Sequence, residues 1–524
     1  MSRPGVLFLV AGLYLTAFPY HPGLRSPNEL CRLWQARALV EHRTLQLNEA
    51  LRQWGYVGDL SVKDGRYYPS KAPLLSFLAA PIYAALKLFG DGGPNAVPEV
   101  PQVFWSRLFL TVLPTLLMLV WLRRFLRSYV SEPVADALCA TYALGSLAFA
   151  YSLLFMSHQV VAVLLFASFY SLWRCQRNEW RERGYLLAGA FAGASLAAEY
   201  TAGLALLGLL SFAAVGVLGG EGSRRERWLR LGRRALLATV GALPFVLFLA
   251  AYHQAAFGHP LHTGYKYLAD QAYQPWHLGG FLGIRYPDPR AFALSLFSPL
   301  RGLFTLAPFL LLALPGLFRL REWKPLFWLT VSLLFAYAYF TSSFSYESWG
   351  WTSGPRHLTP LVPFLLLPAG LFLERLRQPT SLEERIGLGL VAGACAGSIV
   401  VSGVIGLVNY VPDAVSNAFF GLALPLFRQG YLPPSVFTLL GSPNPWAGLP
   451  LLVALLVAAG WVAFLLAKAG RAPTWVAGAL TLLAYFGLLA VATRHDAADT
   501  GAQAHLEAVW LAPQGKSVDF WPSP

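Results

Sequence analysis

The sequence predicts an all-α polytopic membrane protein with about 13 transmembrane helices and a large extracytoplasmic first loop that contains juxtamembrane helices. Three observations support this fold class. Of the 524 residues, 56% are hydrophobic and 13% are charged, which leaves too little polar surface to coat a soluble globule. Apolar runs long enough to cross a bilayer recur along the chain. Basic clusters alternate between these runs with aromatic, Pro/Gly-rich loops.

The first apolar run, Val6 to Tyr20, is interpreted as an uncleaved first span, because prolines rather than a small-residue cleavage site follow it. The stretch 185–218 is 34 residues long. As one helix it would reach about 50 Å against a hydrocarbon core of about 30 Å, so it must cross twice and turn near Glu199. The predicted spans lie near residues 5–20, 104–122, 134–156, 159–173, 185–198, 200–218, 235–252, 302–318, 325–341, 358–373, 387–408, 446–467 and 473–492.

Arginine and lysine clusters end every second span, and the densest is at 224–234. These clusters carry most of the formal net charge of +14. By the positive-inside rule the N-terminus is cytoplasmic, and an odd number of spans puts the C-terminus outside. Residues 1–493 then form a single transmembrane domain in the inner or plasma membrane. Its large outer loops are 21–103, 253–301, 342–357 and 409–445, followed by a short outer tail, 494–524.

The stretch Ala72 to Leu88 is apolar but is punctuated by Pro73 and Pro81. We interpret it as a juxtamembrane helix at the outer surface, with a true span as the alternative. A span here would invert every later loop and put the arginine clusters outside, which the charge distribution disfavours.

The four cysteines are scattered and have no metal-type pairing. They predict neither a disulfide framework nor a zinc site. No cofactor is predicted, and the spacing of ligand-type residues supports no divalent metal.

Glu29 follows Asn28 at the start of an amphipathic segment in the first outer loop. Ser26 fits an N-cap, Pro27 the first helical position and Glu29 the third, so one interpretation is a capping box. The other is a general base at the membrane surface, where the carboxylate would accept the proton of an acceptor hydroxyl. The two roles are compatible.

Lys71 stands in Tyr67-Tyr68-Pro69-Ser70-Lys71-Ala72-Pro73, just before an apolar helix. It is either a lysine that extends its ammonium to the interface or a ligand for a lipid-linked phosphate. The later outer loops and turns also place polar groups on the outer side of the membrane. The candidates are Arg356 and Arg301 for phosphate and Asn28, Tyr68, His158, Glu199, Tyr265 and Glu347 for substrate.

These clusters resemble the GT-C superfamily of lipid-sugar-dependent glycosyltransferases, which includes bacterial aminoarabinose transferases and protein O-mannosyltransferases. The likeness lies in Pro27-Asn28-Glu29, in Tyr68-Pro69-Ser70-Lys71-Ala72-Pro73, in the loop from Phe257-Gly258-His259-Pro260 to Tyr265, and in Trp349-Gly350-Trp351 to Gly354-Pro355-Arg356. It covers about the first three-quarters of the chain.

The resemblance implies a polyprenyl-phosphate-linked sugar as donor, a glycan, lipid or protein as acceptor, and an extracytoplasmic site that inverts the anomeric carbon. Glu29 would be the base, and Lys71 would hold the donor phosphate. Because a departing phosphate needs cations where its charge grows, we expect Arg356 to help Lys71, with Arg301 a weaker candidate. This sequence has Asn28-Glu29 where protein mannosyltransferases carry Asp-Glu, and His158 where several relatives place a second acid.

Two other function classes stay open. A transporter or flippase would place its decisive polar residues near the middle of the bilayer, on broken helices. A phosphoethanolamine or acyl transferase would need a metal-bound nucleophile or a Ser/His pair, for which the chain shows no matching spacing. Nucleic acid is not an expected partner.

Overall fold

The computed structural model describes residues 5–90, 97–280, 283–344, 351–413, 415–440, 445–493 and 508–514. Within these ranges the chain is mainly helical. One hydrophobic core, built from buried side chains, runs from Val10 near the N-terminus to Leu511 in the C-terminal segment.

The first predicted loop contains helices and a small sheet. The elements of this part of the chain are α1 (Gly5–Thr16), α2 (Pro27–Glu41), α3 (Asn48–Trp54), β1 (Leu60–Lys63), β2 (Arg66–Pro69) and α4 (Leu74–Phe89). Helix α4 packs against α2. Its 16 residues span about 24 Å, less than a bilayer core of about 30 Å, which favours the juxtamembrane interpretation.

The hairpin of β1 and β2 is a departure from the predicted all-α class. The two strands pair antiparallel, from Leu60 opposite Pro69 to Lys63 opposite Arg66. Asp64 and Gly65 form the turn with φ of 51° and 71°. Two positive φ angles are what a two-residue hairpin turn requires, and Asp-Gly is a favoured pair for it.

The middle of the chain is a series of helices. They are α5 (Glu99–Arg107), α6 (Leu113–Leu126), α7 (Glu132–Leu144), α8 (Leu147–Ser152), α9 (Ser157–Gln176), α10 (Arg183–Ala198), α11 (Gly203–Leu218) and α12 (Arg224–Phe257). Helix α10 packs against α9 and α12. A π-helical turn, Leu108–Val112, joins α5 to α6. Helix α12 has 34 residues and is about 50 Å long, so it is longer than a bilayer core.

The last part of the chain combines short surface helices with long apolar ones. They are α13 (Gln274–Leu278), α14 (Pro289–Phe297), α15 (Leu303–Leu306), α16 (Ala313–Leu320), α17 (Lys324–Ser343), α18 (Val362–Leu376), α19 (Leu382–Val408), α20 (Leu424–Arg428), α21 (Val436–Leu439), α22 (Leu449–Ala467) and α23 (Arg471–Val491). Helix α19 packs against α22 and α23, and α17 packs against α11.

Among the described residues, eight helical segments are long and apolar enough to cross a membrane. The chain is therefore an integral membrane protein. Helix lies over each of the thirteen predicted spans, but several of these helices are short, so the count of thirteen stays a prediction. The eight segments are Glu99–Leu126, Tyr200–Leu218, Arg224–Phe257, Lys324–Ser343, Arg356–Leu376, Leu382–Val408, Trp446–Ala467 and Arg471–Val491.

The predicted span 134–156 is broken into α7 and α8, and Gly145 explains the break. A Cβ on Gly145 would lie 2.7 Å from the backbone nitrogen of Ile399, because α19 crosses it closely. The next residue, Ser146, caps α8 by accepting a hydrogen bond from the backbone N–H of Ala148.

Consecutive helices run between two ends of the molecule. Helix α9 begins at Ser157, which lies within hydrogen-bond distance of Glu199 at the end of α10. At the opposite ends of the same two helices the arginine clusters form ion pairs, such as Arg174 with Glu179 at 2.7 Å. The polar groups predicted to bind substrate and the arginine clusters thus occupy opposite ends of these helices.

The C-terminal segment 508–514 packs back onto the end of α19. Trp510 is buried, and its Nε1 donates a hydrogen bond to the carbonyl oxygen of Val408 at 3.3 Å. The side chain of Gln514 pairs with the backbone of Leu432 through two hydrogen bonds. This part of the predicted tail is therefore a structural element.

Candidate functional site

The hairpin brings an acid next to the predicted phosphate ligand. Asp59 immediately precedes β1 and Lys71 follows β2, so both lie at the open end of the hairpin. The backbone N–H of Ser70 donates to the carbonyl oxygen of Asp59 at 2.8 Å. The Lys71 ammonium lies 3.0 Å from Oδ1 of Asp59. The two residues form an ion pair across the strand ends.

The pair is electrostatically coupled to two further cations. Burial raises the pKa of the Asp59 carboxyl, but Lys71, and then Arg356 and Arg32, more than offset this effect, so the net shift is downward. Burial lowers the pKa of the Lys71 ammonium, and Asp59 reverses that shift, so the pKa of Lys71 is raised. Both groups are therefore charged at neutral pH.

Aromatic rings form one wall beside Lys71. Its ammonium lies 5.3 Å from the centroid of the Tyr265 ring, within the range of a cation–π contact. Tyr265 stacks on His277 with centroids 4.3 Å apart. Burial, followed by the charge of Lys71, lowers the pKa of His277 to about 4. His277 is therefore neutral at physiological pH.

The loop that carries Tyr265 is fixed to the edge of the hairpin. The hydroxyl of Ser61 donates to the carbonyl oxygen of Gly264 at 2.7 Å, and the N–H of Ala269 donates to that of Leu60 at 2.9 Å. A Cβ on Gly264 would lie 2.8 Å from both Ser61 Oγ and the Cα of Ser70. Glycine is required here because the two segments approach so closely.

A second polar cluster lies between α2, α9 and α10. The guanidinium of Arg32 is fully buried. It donates to the side chain and the backbone oxygen of Asn28 and, at 3.2 Å, to the hydroxyl of Ser157. Ser157 in turn donates to Glu199 at 2.6 Å. Asn28 and Glu199 therefore act together in holding Arg32.

Arg356 opens the short 3₁₀ helix Arg356–Leu361 that leads into α18. Its Nε is buried and has no hydrogen-bond partner among the described residues. The neighbouring His357 packs edge-on against His158 with centroids 5.1 Å apart, and His158 packs in the same way against Tyr151 at 5.3 Å. The structure thus brings His158 to the Arg356 side of the site.

Glu29 occupies a different environment from the one that the sequence predicted. It lies in the first turn of α2, but the Ser26 side chain makes no capping hydrogen bond, so the predicted capping box is absent. The Glu29 carboxylate instead accepts two hydrogen bonds from Arg107, at 2.9 and 2.8 Å. It also accepts one from the N–H of Phe155 at 2.5 Å and one from the hydroxyl of Tyr410.

The side chain of Glu29 is fully buried, and both of its oxygens are used by these donors. In this structure the four donors all belong to the protein, and the role of Glu29 as a general base stays a prediction. Through these contacts Glu29 joins α2 to α5 and to the segments before α9 and after α19.

Three other residues that the sequence predicted for the site contact neighbouring side chains in the structure, and a fourth lies outside the described residues. Arg301 forms an ion pair with Asp413 and donates to the carbonyl oxygen of Val411 at 3.3 Å. Tyr68 packs edge-on against Phe257 in a small hydrophobic cluster. Asn28 is bound to Arg32, as described above. Glu347 lies outside the described residues.

The sequence analysis missed Asp59 and Arg32. The signal for Asp59 is the pair Asp64-Gly65 between two short β-type runs, which predicts a hairpin and would have placed its two ends side by side. Arg32 lies between apolar residues on α2. A charged residue in such a position is costly unless partnered, which marks it as part of a polar cluster.

Within the described ranges, no group of three His, Cys, Asp or Glu side chains could hold a metal ion.

No family model and no curated protein matches the chain. Solved structures do align. ArnT from Cupriavidus metallidurans, in the apo state, is 14% identical with a TM-score of 0.47, and the alignment covers 92% of this chain and 76% of that one. A second ArnT structure, bound to undecaprenyl phosphate, gives a TM-score of 0.46.

Two longer proteins also align over most of this chain. The Archaeoglobus fulgidus oligosaccharyltransferase is 13% identical with a TM-score of 0.44, over 92% of this chain and 56% of that one. The arabinosyltransferase EmbB from Mycobacterium smegmatis is 14% identical with a TM-score of 0.44, over 96% of this chain and 42% of that one.

Proposed function

We propose that this protein is a membrane glycosyltransferase that moves a sugar from a polyprenyl-phosphate donor to an acceptor hydroxyl on the extracytoplasmic face, with inversion. The observation that supports this proposal is the ion pair of Lys71 with Asp59 at 3.0 Å, together with the electrostatic influence of Arg356 and Arg32 on the same carboxylate. Three cations and the two acids Asp59 and Glu199 leave the cluster with a net positive charge, which suits a bound phosphate.

Phosphate chemistry explains why such a cluster is needed. When the bond between C1 of the sugar and the donor phosphate breaks, negative charge grows on the departing phosphate oxygen, and nearby cations stabilise that charge. Lys71 is 8% exposed, so water screens its charge only weakly. We assign the donor phosphate to Lys71 and Arg356. Arg301 is a weaker candidate because Asp413 already pairs with it.

The aromatic wall fits a sugar headgroup. Binding sites for small molecules are lined mainly by apolar and aromatic side chains, with a few polar groups that fix orientation. Tyr265 and His277 supply stacked ring surface beside Lys71, and Tyr200 packs edge-on against Tyr265. We assign the sugar to this wall. The acceptor is a hydroxyl of a glycan, a lipid or a protein.

The test uses undecaprenyl phosphate, the lipid bound in one of the ArnT structures. A hydrogen bond to a charged group contributes about 1.5–3 kcal/mol, so Lys71→Ala and Arg356→Ala should each weaken binding by about ten- to a hundredfold. Binding is measured by native mass spectrometry of purified protein. Lys63→Ala, on the same hairpin, is the matched control and should bind like the wild type.

Activity is tested in membranes supplied with labelled polyprenyl-phosphate sugars. Transfer of label with release of polyprenyl phosphate supports the proposal. Movement of the lipid or of a solute across the membrane without transfer of label would instead favour the transporter or flippase class. Unchanged binding in both cation variants would contradict the assignment of the phosphate site.

A further inference from the structure

We propose that Asp59, rather than Glu29, is the general base of the transfer. This inference rests on the proposed function and names the group that accepts the acceptor's proton. A single displacement with inversion needs such a group on the side of C1 opposite the leaving phosphate. Three acids of the described chain, Asp59, Glu199 and Glu29, are the candidates.

Accessibility separates these three carboxylates. The side chain of Glu29 has no exposed surface and accepts four hydrogen bonds. Glu199 is 5% exposed and accepts from Ser157, which also binds Arg32. The side chain of Asp59 is 31% exposed. It pairs with Lys71 through Oδ1 at 3.0 Å.

The backbone also fixes Asp59 in place. Its φ is 58°, in the left-handed region that non-glycine residues seldom adopt. Two contacts hold it there. The N–H of Ser70 donates a hydrogen bond to the carbonyl oxygen of Asp59, and the next residue, Leu60, pairs with Pro69 in the hairpin. Backbone strain of this kind persists where the surroundings determine the conformation, and it concentrates at functional sites.

The proposed step moves one proton and one sugar. The Asp59 carboxylate accepts the proton of the acceptor O–H as the acceptor oxygen forms its bond to C1. The bond between C1 and the phosphate oxygen breaks, and its electron pair stays on that oxygen. The polyprenyl phosphate that leaves is held by Lys71 and Arg356. The acceptor gains the glycosidic bond, and Asp59 carries the proton until it is lost to solvent.

Binding of the donor would also make Asp59 a stronger base. In the structure Lys71 holds the pKa of Asp59 below its ordinary value, which makes the carboxylate a weak base. A donor phosphate on Lys71 brings negative charge close to Asp59 and competes for the ammonium. Both effects raise the pKa of a carboxyl group. Asp59 would therefore become a stronger base once the donor is in place.

The experiment compares Asp59→Ala with the wild type in two reactions of a labelled polyprenyl-phosphate sugar. With a hydroxyl acceptor, loss of a general base lowers the rate by about a hundred- to ten-thousandfold. With sodium azide as acceptor no proton has to be removed, so Asp59→Ala should form the glycosyl azide. Asp64→Ala, at the tip of the same hairpin, is the matched control and should transfer like the wild type.

A second measurement separates a base from a residue that only orients Lys71. Asp59→Ala and the isosteric Asp59→Asn should bind undecaprenyl phosphate at least as tightly as the wild type, because the negative charge beside Lys71 is gone. Weaker binding by both variants, or hydroxyl transfer at the wild-type rate, would overturn the proposal. So would failure of azide to react in an Asp59→Ala protein that still binds the lipid.

Failure of the proposed function gives a different result. A wild-type protein that neither binds undecaprenyl phosphate nor uses any labelled polyprenyl-phosphate sugar would overturn both proposals. A wild-type protein that does both, beside an Asp59→Ala protein that is indistinguishable from it, would overturn only the assignment of the base.

Discussion

At the scale of single residues, the buried pair of Arg107 and Glu29 determines how several segments meet. The guanidinium lies 5.1 Å from the ring of Tyr20 and 5.4 Å from that of Phe18. Tyr410 approaches the same carboxylate from the end of α19. A charge pair in such a position is costly to break, because removal of one partner leaves the other charged and buried.

Variants of this pair should behave non-additively. Arg107→Met leaves Glu29 unpaired and should lower the free energy of unfolding by about 3–5 kcal/mol. The double variant Glu29→Leu with Arg107→Met should be less destabilised than Arg107→Met alone, because no buried charge remains. Thermal unfolding in detergent measures both.

Glu49→Gln is the control for this cycle. Glu49 forms an exposed ion pair with Arg52, and exposed pairs contribute little to stability. Its melting temperature should stay close to that of the wild type. A double variant that is destabilised more than Arg107→Met alone would contradict a coupled pair.

Single residues also show what the sequence could predict. Lys71 was recognisable because a lone cation among prolines and aromatic residues is conspicuous. The partners of Glu29 were not, since Arg107, Phe155 and Tyr410 come from distant parts of the chain. The local pattern of Ser26 and Glu29 predicted a cap, and a tertiary ion pair replaced it.

At the scale of elements, the hairpin and the loop 264–269 form one unit that carries Asp59, Lys71 and Tyr265. An isolated two-stranded hairpin is marginally stable in water. Here the loop pairs with its edge, through a bridge between Ser61 and Leu268. The site depends on this contact because neither segment alone brings Tyr265 to Lys71.

Gly264→Ala should therefore weaken binding of undecaprenyl phosphate several-fold, because the added methyl group pushes the loop away from Ser61 and Ser70. The same binding measurement checks it. Gly12→Ala is the control, since a Cβ there meets no atom within 4 Å. Wild-type affinity in Gly264→Ala would show that the close approach is unnecessary.

Gly65→Ala tests the turn of the hairpin rather than the contact of the hairpin with the loop 264–269. An alanine at φ of 71° should lower the stability of the folded protein by about 1 kcal/mol. Limited proteolysis at the hairpin should detect this as faster cleavage. Equal cleavage rates for Gly65→Ala and the wild type would contradict a strained turn.

The apolar runs predicted where helices lie, because a bilayer requires every backbone polar group to be paired within the segment. They did not predict the break at Gly145, which depends on the crossing of α19. They also placed the seventh span at 235–252, whereas α12 begins at Arg224, where Ser223 and Glu226 form a capping box.

At the scale of the whole molecule, the predicted site and the arginine clusters occupy opposite ends of α9 and α10. From the positive-inside rule we expect the site to lie outside the cytoplasm. All four cysteines are buried and unpaired, so an introduced surface cysteine can be labelled selectively.

Labelling intact cells with a membrane-impermeant maleimide should distinguish the two ends. Asp64→Cys, at the exposed tip of the hairpin, should react. Asn178→Cys, in the exposed turn between α9 and α10, should react only after the cells are opened. The reverse pattern would place the arginine clusters outside and contradict the predicted orientation.

The segment 508–514 has a consequence for biosynthesis. Trp510 donates to the carbonyl oxygen of Val408, two residues before the tyrosine that contacts Glu29. The support beneath the first loop is therefore assembled from residues that are synthesised early and residues that are synthesised much later. The contact of Trp510 with the end of α19 can therefore form only after residues 508–514 have been synthesised.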